Sequence, residues 1–282
     1  MYYLLLFILY PLSLLPLRIL YLFSSGMYLL LYYITGYRKQ LVLDNLRQAF
    51  PEKSKEEIGH ICKKFYRSFC DQWIETLKLL SISEKELNRR IKGNWNVFHQ
   101  LYDEGRNTYA LLGHTFNWEW ANVACQYNSR QQFAGVYMPL ESNAFDRVMQ
   151  RIRTRSGAWL ISMKAKRGLT KLDGVQYIVG LMADQNPPVV KAATWHIFLN
   201  REAPFFNGPE LLAKRAKSAV VFAGIKKVKR GYYEIDLQRY IDDASVLPAG
   251  KMMGDYVSFI EQQIKEQPEN WMWTHNRWKH SR

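Results

Sequence analysis

The chain has 282 residues, of which 48% are hydrophobic, and its 39 Lys and Arg residues outnumber 25 Asp and Glu residues to give a formal net charge of +14. This length and apolar content exclude a disordered chain and predict one large domain with a substantial core. The positive charge favours an anionic partner, which is nucleic acid, a phospholipid surface or an acidic carrier protein, and it does not choose among them.

Residues 1–34 are almost wholly apolar and aromatic, and about 20 such residues suffice to span a bilayer. The segment lacks the basic start and the cleavage site of a secretory signal, so we expect a retained membrane anchor over residues 1–36. Arg18 divides the run, which leaves a single tilted span and a helical hairpin in one leaflet both open. Two basic residues follow, and the positive-inside rule then places the body, residues 37–282, on the cytoplasmic side. A buried core helix is the competing interpretation.

A capping-box pattern at Ser54 predicts the start of a long helix. Its apolar residues recur at helical spacing and are expected to pack in the core. They are Ile58, Cys62, Phe65, Phe69, Trp73, Leu77 and Leu80. Short helices are expected over residues 83–91 and 95–102.

Strand-like and helix-like segments alternate from Tyr109 onward, which predicts an α/β domain with helices flanking a central sheet. The predicted strands are Tyr109–Gly113, Phe133–Tyr137, Trp159–Ser162, Tyr177–Met182, Trp195–Leu199, Val220–Ile225 and Tyr232–Leu237. The predicted helices cover residues 117–127, 143–155, 166–173, 208–217 and 251–267. Residues 229–231 form a hairpin signal between the last two strands, so at least one strand pair is antiparallel and the sheet is mixed.

His114 follows the first of these strands, and Glu119 lies five positions further on. On one continuous helix the two side chains would point about 140° apart, so the spacing predicts a loop. If Asn117 caps the next helix, Glu119 falls in its first turn, where the helix dipole favours a carboxylate, and the loop can fold His114 back onto it. A histidine oriented by a carboxylate is a general base, and a structural hydrogen-bonded pair is equally well supported.

The sequence contains no G-x-S-x-G element, so a serine acyl-enzyme is disfavoured and the hydroxyl of a substrate becomes the expected attacking group. The three cysteines lack metal or redox spacing and predict free buried thiols, which leaves Cys125 a weak candidate for a nucleophile. The other five histidines lack metal-ligand spacing, and no metal site is expected.

His114-x4-Glu119 resembles the H-x4-(D/E) motif of the glycerolipid acyltransferase superfamily, and the wider pattern resembles its late lipid A acyltransferase branch. Segments similar to that branch occur in family order over nearly the whole chain. They are residues 42–51, 113–119, 136–140 with Asn143 and Asp146, 153–155, 183–185, 204–206 and 268–278. Met138 departs from the pattern, because many relatives carry a basic residue after the tyrosine.

The resemblance implies that His114, oriented by Glu119, deprotonates a hydroxyl of a membrane-embedded lipid A precursor. That hydroxyl then attacks the thioester of an acyl carrier protein or of acyl-CoA, so the thioester is a co-substrate and no cofactor is implied. Arg153 is expected to stabilise the developing oxyanion or to bind an acceptor phosphate. A solvated helix face is the alternative for Arg153.

Three further residues are assigned to substrate or oxyanion binding on the same resemblance, namely Arg155, Asn117 and Asp184. Asp184 follows a predicted apolar strand, where α/β sheets place site residues, and is expected to support the site by pairing with an arginine. A turn before the next prolines is its alternative. Residues 204–206 are expected to line an acyl-chain channel, and the aromatic segment 271–279 belongs either to an interfacial belt or to the core.

The resemblance places the chain at the cytoplasmic face of the bacterial inner membrane, in lipopolysaccharide biosynthesis. Alternatives are the same chemistry on another glycolipid or lysophospholipid, a thioesterase, and a basic membrane-associated protein that binds nucleic acid or lipid. Nucleic acid is disfavoured because the basic residues are scattered and no nucleic-acid motif accompanies them.

Overall fold

The structure is a computed structural model that describes residues 1–165, 168–187 and 189–280. The first two residues of the predicted helix 166–173 lie outside the described residues, and its described part, Gly168–Leu172, is a short 3-10 helix.

A mixed seven-stranded sheet forms the centre of the described chain, in the order β1-β9-β8-β2-β5-β3-β4. Neighbouring strands are parallel except β8 and β9, which are antiparallel, as the hairpin signal predicts. Two further strands, β6 and β7, form a separate antiparallel hairpin. The strands are β1 (Ile91–Gly93), β2 (Thr108–Leu112), β3 (Gln132–Tyr137), β4 (Trp159–Ser162), β5 (Tyr177–Met182), β6 (Ala193–Phe198), β7 (Arg201–Phe206), β8 (Ala219–Lys229) and β9 (Tyr232–Ile241).

The helices pack on both faces of this sheet, which confirms the predicted fold class. They are α1 (Tyr2–Leu14), α2 (Leu17–Leu29), α3 (Lys39–Ala49), α4 (Lys55–Lys78), α5 (Glu84–Arg90), α6 (Asn96–Asp103), α7 (Trp118–Asn128), α8 (Asn143–Thr154), α9 (Gly208–Arg215) and α10 (Lys251–Glu266). Successive side chains along β2 point to opposite faces of the sheet. Tyr109 and Leu111 point into the core under α9, α10 and the aromatic segment 271–279, whereas Ala110 points into the core under α5 to α8.

The long helix α4 begins with the predicted capping box, in which Ser54 accepts from the Glu57 amide and Glu57 accepts from the Ser54 amide. The first half of the predicted apolar stripe is buried, but Trp73 is 44% exposed. The prediction for Trp73 is therefore wrong, because the second half of α4 turns polar side chains inward. These are Asp71, Gln72, Glu75 and Thr76.

The segment Leu17–Ile34, which is α2 together with a π-helical turn, is the one described helix long and apolar enough to cross a membrane. Only 28% of it is buried. On its other side α2 is bonded to α4, because the Ser24 hydroxyl donates to Asp71 Oδ1 (2.6 Å). The Lys78 ammonium also donates to the carbonyl of Ser13, at 2.8 Å. The apolar helices are thus joined to the sheet domain by polar contacts as well as by packing.

Candidate active site

The carboxyl ends of the neighbouring strands β2 and β5 bring His114 and Asp184 together. Leu112 and Met182 are the last paired residues of these parallel strands, and each strand continues two residues to one member of the pair. The His114 amide donates to Asp184 Oδ2 (2.8 Å), and Nδ1 of the ring lies 2.6 Å from Oδ1. A carboxylate only accepts, so Nδ1 carries the proton and Nε2 has the free lone pair.

Asp184 is completely buried, and a third donor fixes it in place. The indole Nε1 of Trp271 donates to Oδ2 at 2.7 Å. Burial alone would raise the pKa of Asp184, but the charge of His114 and the hydrogen bonds from His114 and Trp271 lower it to about 2. The carboxylate is therefore ionised near neutral pH and orients the imidazole from the buried side of the ring.

The His114 ring lies in the wall of a cavity of about 1190 Å³ and retains 17% of its side-chain exposure. Asp184 holds one edge of the ring from the buried side, so the opposite edge presents Nε2 to the cavity. Apolar residues form most of the surrounding wall, including Leu160, Leu181 and Met138. This arrangement can take a proton from a hydroxyl while an apolar chain occupies the same space.

Asn117 caps α7 as predicted, because its Oδ1 accepts from the Trp120 amide (3.0 Å) and Glu119 lies in the first turn. The predicted hydrogen bond between His114 and Glu119 is not what the structure shows. The Trp118 ring stands edge-on beside the His114 ring, with 5.4 Å between centroids, and its Nε1 donates to Glu119. The indole occupies the position next to His114, and Asp184 takes the role predicted for Glu119.

Arg153 pairs with Glu119 through two donors, with Nε 2.9 Å from Oε2 and Nη2 2.5 Å from Oε1. Burial would lower the pKa of Arg153, but the adjacent Glu119 carboxylate raises it, so the guanidinium stays charged. Arg153 is not the solvated arginine of the alternative interpretation, since its side chain is only 20% exposed. It lies in the cavity wall, and Nη1 has no hydrogen-bond partner among the described residues.

The other predicted substrate-binding residues do not point into the cavity. Asn117 is fully buried and donates to Glu75 Oε2 at 2.7 Å. Arg155 donates to the carbonyl of Leu79 at the end of α4 and is outside the cavity wall formed by the described residues. Asp184 pairs with a histidine and not with the arginine that was expected.

Three residues that support the site were not predicted from the sequence. Trp271 bonds Asp184, and Tyr256 joins the ends of β2 and β5 by donating to the Leu112 carbonyl (2.8 Å) and accepting from the amide after Met182 (3.2 Å). His275 accepts from the Asn186 amide at 3.2 Å. For Trp271 and His275 the sequence signal was the aromatic segment 271–279, which the structure places in the core: Trp271, Trp273 and Trp278 are at most 7% exposed.

The Cys125 thiol is buried, and desolvation raises its pKa far above the usual range, so it is a poor nucleophile. Within the described residues, no three His, Cys, Asp or Glu side chains are grouped closely enough to hold a metal ion.

The fold and the site together define an α/β enzyme in which a carboxylate-bound histidine faces a large apolar cavity. The sequence matches the bacterial lipid A biosynthesis acyltransferase family over residues 1–280, and the chain belongs to this family. A search of curated proteins found no match. Family membership makes the chain an acyltransferase, which confirms the resemblance and excludes the interpretation as a binding protein without activity.

Proposed function

We propose that this acyltransferase moves a fatty acyl chain from acyl carrier protein to a hydroxyl of a lipid A precursor, with His114 as the general base. The contact between His114 Nδ1 and Asp184 Oδ1 (2.6 Å) carries the proposal, because it leaves Nε2 free at the cavity. Acyl-CoA as donor and another glycolipid as acceptor are the competing assignments for the same chemistry.

In the proposed step, the acceptor oxygen attacks the thioester carbonyl carbon while its proton passes to Nε2 of His114. Asp184 stabilises the imidazolium that forms, as a buried carboxylate does in other histidine-based sites. The tetrahedral intermediate then breaks its C–S bond, and the leaving sulfur takes the proton back from Nε2. The products are an ester and a free carrier thiol, so the step is complete without a cofactor.

Negative charge develops on the thioester oxygen during the attack and needs a donor. Arg153 is the described cavity-wall cation best placed to supply one, since Glu119 holds Nε and Nη2 and leaves Nη1 unbonded among the described residues. One such donor is worth about 3–4 kcal/mol in comparable sites. Glu119 in this scheme positions Arg153 and does not contact the base.

The net charge supports the proposed donor, and the apolar helices support the proposed location. A formal net charge of +14 attracts an acidic carrier protein as well as anionic lipid. The exposed apolar surface of α1 and α2 suits attachment to the inner membrane through residues 1–36, with residues 37–282 as the catalytic domain in the cytoplasm.

Mass spectrometry of lipid A tests the proposal. Cells that lack the protein are complemented with the wild type, with His114→Ala, or with His60→Ala, in which an exposed histidine of α4 is changed. We expect loss of one acyl chain on deletion, restoration by the wild type and His60→Ala, and no restoration by His114→Ala. An active His114→Ala enzyme would refute the mechanism, and unchanged lipid A on deletion would refute the acceptor.

The purified protein distinguishes the donors. We expect transfer from acyl carrier protein to have a kcat/KM at least about tenfold above that from acyl-CoA, because the basic surface steers an acidic protein. If kcat/KM is the same for the two donors, at low salt as well as at high salt, the assignment of the donor is contradicted.

A further inference from the structure

A second cavity, of about 630 Å³, lies between α2, α4, the β8–β9 turn and the segment Gln267–Asn270. It shares no lining residue with the His114 cavity within the described residues. We call it the basic cavity, because five cationic side chains line it. They are Lys64, Arg67, Lys227, Lys229 and Arg230.

Only part of this positive charge is matched. The two acidic residues in the wall are Asp71 and Glu269. Asp71 is buried and pairs with Arg230 (2.7 Å) and Lys227 (3.4 Å), so one carboxylate serves two cations. Glu269 approaches Lys64 at 3.9 Å. The wall formed by the described residues therefore has a surplus of three positive charges.

Two of the cations have no carboxylate within 4.0 Å in the described part of the chain. Arg67 lies over the Tyr28 ring, 5.2 Å from its centroid, and Lys229 lies over the Tyr232 ring at 4.5 Å. Both side chains are at exposed positions and remain available to an anion. Guanidinium and ammonium groups bind a phosphate group through charge-assisted hydrogen bonds.

Asn270 gives the cavity wall an unused acceptor. It is 1% exposed, and its amide nitrogen donates to the carbonyls of Phe116 (2.8 Å) and Ile225 (3.2 Å). Its Oδ1 has no donor among the described residues. Buried acceptors are almost always satisfied, so this oxygen is an unusual unsatisfied position in a residue of the cavity wall.

The apolar neighbourhood indicates that this ligand is an amphiphile. Leu29 lines the basic cavity and is also 53% exposed. Three further apolar residues along Leu17–Ile34 are exposed as well, namely Leu30, Tyr33 and Ile34. A headgroup in the cavity would therefore have its acyl chains against the apolar surface of Leu17–Ile34. A free phosphate ion would leave this surface uncovered.

We propose that the basic cavity binds the phosphodiester headgroup of an anionic glycerophospholipid, apart from the acyl-transfer site. Arg67 and Lys229 contact the phosphate. The bound lipid fixes α2 against α4 at the membrane surface. This inference goes beyond the proposed function; it rests on the proposed membrane attachment and is independent of the proposed acyl transfer.

Calorimetric titration of the full chain in neutral detergent tests the proposal, with dihexanoyl phosphatidylglycerol, dihexanoyl phosphatidylcholine or inorganic phosphate as titrant. The variant is Arg67→Gln/Lys229→Gln, and the matched control is Lys63→Gln/Lys226→Gln, which removes two exposed cations from the same two elements. We expect phosphatidylglycerol to bind and the other two titrants not to. Loss of two cations should weaken its binding about 30-fold, with the control unchanged.

Equal binding of the two lipids, or equal binding to the Arg67→Gln/Lys229→Gln variant and the wild type, overturns the proposal. Binding of inorganic phosphate as tight as that of phosphatidylglycerol assigns the cavity to a soluble ligand instead. If the variant loses acyl carrier protein and keeps the lipid, the cavity is a docking site for the donor. The His114→Ala variant should bind lipid normally, so failure of the proposed acyl transfer would leave this result unaffected.

Discussion

Asp184 accepts three hydrogen bonds from the described residues, two of them from His114, so a change at this carboxylate acts on the orientation of the proposed base. We expect Asp184→Asn to lower kcat by about 10³-fold and to change KM little, because an amide also accommodates the wrong tautomer of His114. Steady-state assays with the acyl thioester measure both constants. Asp103→Asn, at an exposed aspartate, is the control. A kcat near that of the wild type would show that Asp184 only supports the fold.

The paired groups Glu119 and Arg153 should behave as one unit. We expect Glu119→Gln and Arg153→Gln each to lower kcat/KM and the double variant to be little worse than the poorer single variant. The coupling free energy should be about 1–3 kcal/mol, because each single change leaves a largely buried partner unpaired. A double-mutant cycle measures it, and additive losses would contradict the pairing.

His275 makes the stability of the site depend on pH. Burial, together with the positive charges of His114 and Arg277, lowers its pKa from 6.5 to about 4. The unfolded chain therefore binds a proton between pH 6.5 and 4 that the folded chain does not, and stability falls as the pH falls through this window. We expect a loss of up to about 2 kcal/mol between pH 6.5 and pH 5.

Thermal melts of the full chain at pH 7.5 and pH 5 measure this effect. In His275→Gln the decrease in Tm should be smaller, because glutamine has no proton to gain and still offers an acceptor to Asn186. Parallel pH dependence in the wild type and the variant would exclude His275 as the titrating group.

At the scale of single residues, contacts between residues close in sequence could be predicted, whereas contacts between residues distant in sequence could not. The Asn117 cap was predictable because its partner is three residues away. His114 and Asp184 are separated by 70 residues and Asp184 and Trp271 by 87, so their contacts depend on strand order and on packing of the aromatic segment. Without the knowledge that β2 and β5 are neighbours, Glu119 was the only nearby carboxylate to assign.

Among the secondary-structure elements, α4 connects the apolar helices to the active-site loop through Glu75. This fully buried carboxylate accepts from the hydroxyls of Tyr21 on α2 and Tyr233 on β9 and from the side chain of Asn117, each at 2.7 Å. Desolvation by burial raises the pKa of Glu75. Glu75 therefore accepts both from Asn117, which caps α7, and from Tyr21 on α2.

We expect Glu75→Gln to lower the free energy of unfolding by about 1–3 kcal/mol, because the new amide group turns a donor toward a donor. Tyr21→Phe should cost about 1 kcal/mol, since it removes one neutral donor. Chemical denaturation in detergent compares these variants with Glu56→Gln at the exposed start of α4. Equal stability of Glu75→Gln and the control would show that this contact set is not important for the fold.

Most strands and helices were predictable within a few residues because their apolar periodicity is local. The short strand β1 has only three residues and lacked a signal. The predicted strand at Trp195–Leu199 exists as β6, but among the described strands it pairs with β7 alone, outside the main sheet. Strand order and the inward polar face of α4 arise from long-range packing, which periodicity does not encode.

At the scale of the whole molecule, the exposed apolar surface of α2 predicts how the protein partitions. Leu22 is 72% exposed and Phe23 is 53% exposed, so lysines there do not disturb the core. We expect Leu22→Lys/Phe23→Lys to shift protein from the membrane fraction to the soluble fraction, because the change replaces exposed apolar surface of α2 with two charges. Alkaline extraction measures the shift, with Gln48→Lys/Gln262→Lys as a control of equal charge. An unchanged membrane fraction would contradict insertion through this helix.

The distribution of charge was likewise visible only in three dimensions. The cations of the basic cavity come from α4 and from the β8–β9 turn, which are about 160 residues apart in sequence. In the sequence the basic residues are scattered, so the sequence predicted the net charge of the protein but not where on its surface the positive charge is concentrated. Packing of α2 and α4 against the hairpin concentrates them beside the apolar helix.

Because the Trp271 indole donates to Asp184, the set of contacts around His114 is completed only late in synthesis of the chain. The ribosome produces His114 first, Asp184 70 residues later, and Trp271 a further 87 residues later. At ordinary synthesis rates this interval is about 8–30 s, during which the apolar helices have already emerged. A growing chain therefore exposes its apolar helices well before Trp271 can hold Asp184, and synthesis that stops short of Trp271 leaves the pair of His114 and Asp184 without the indole donor.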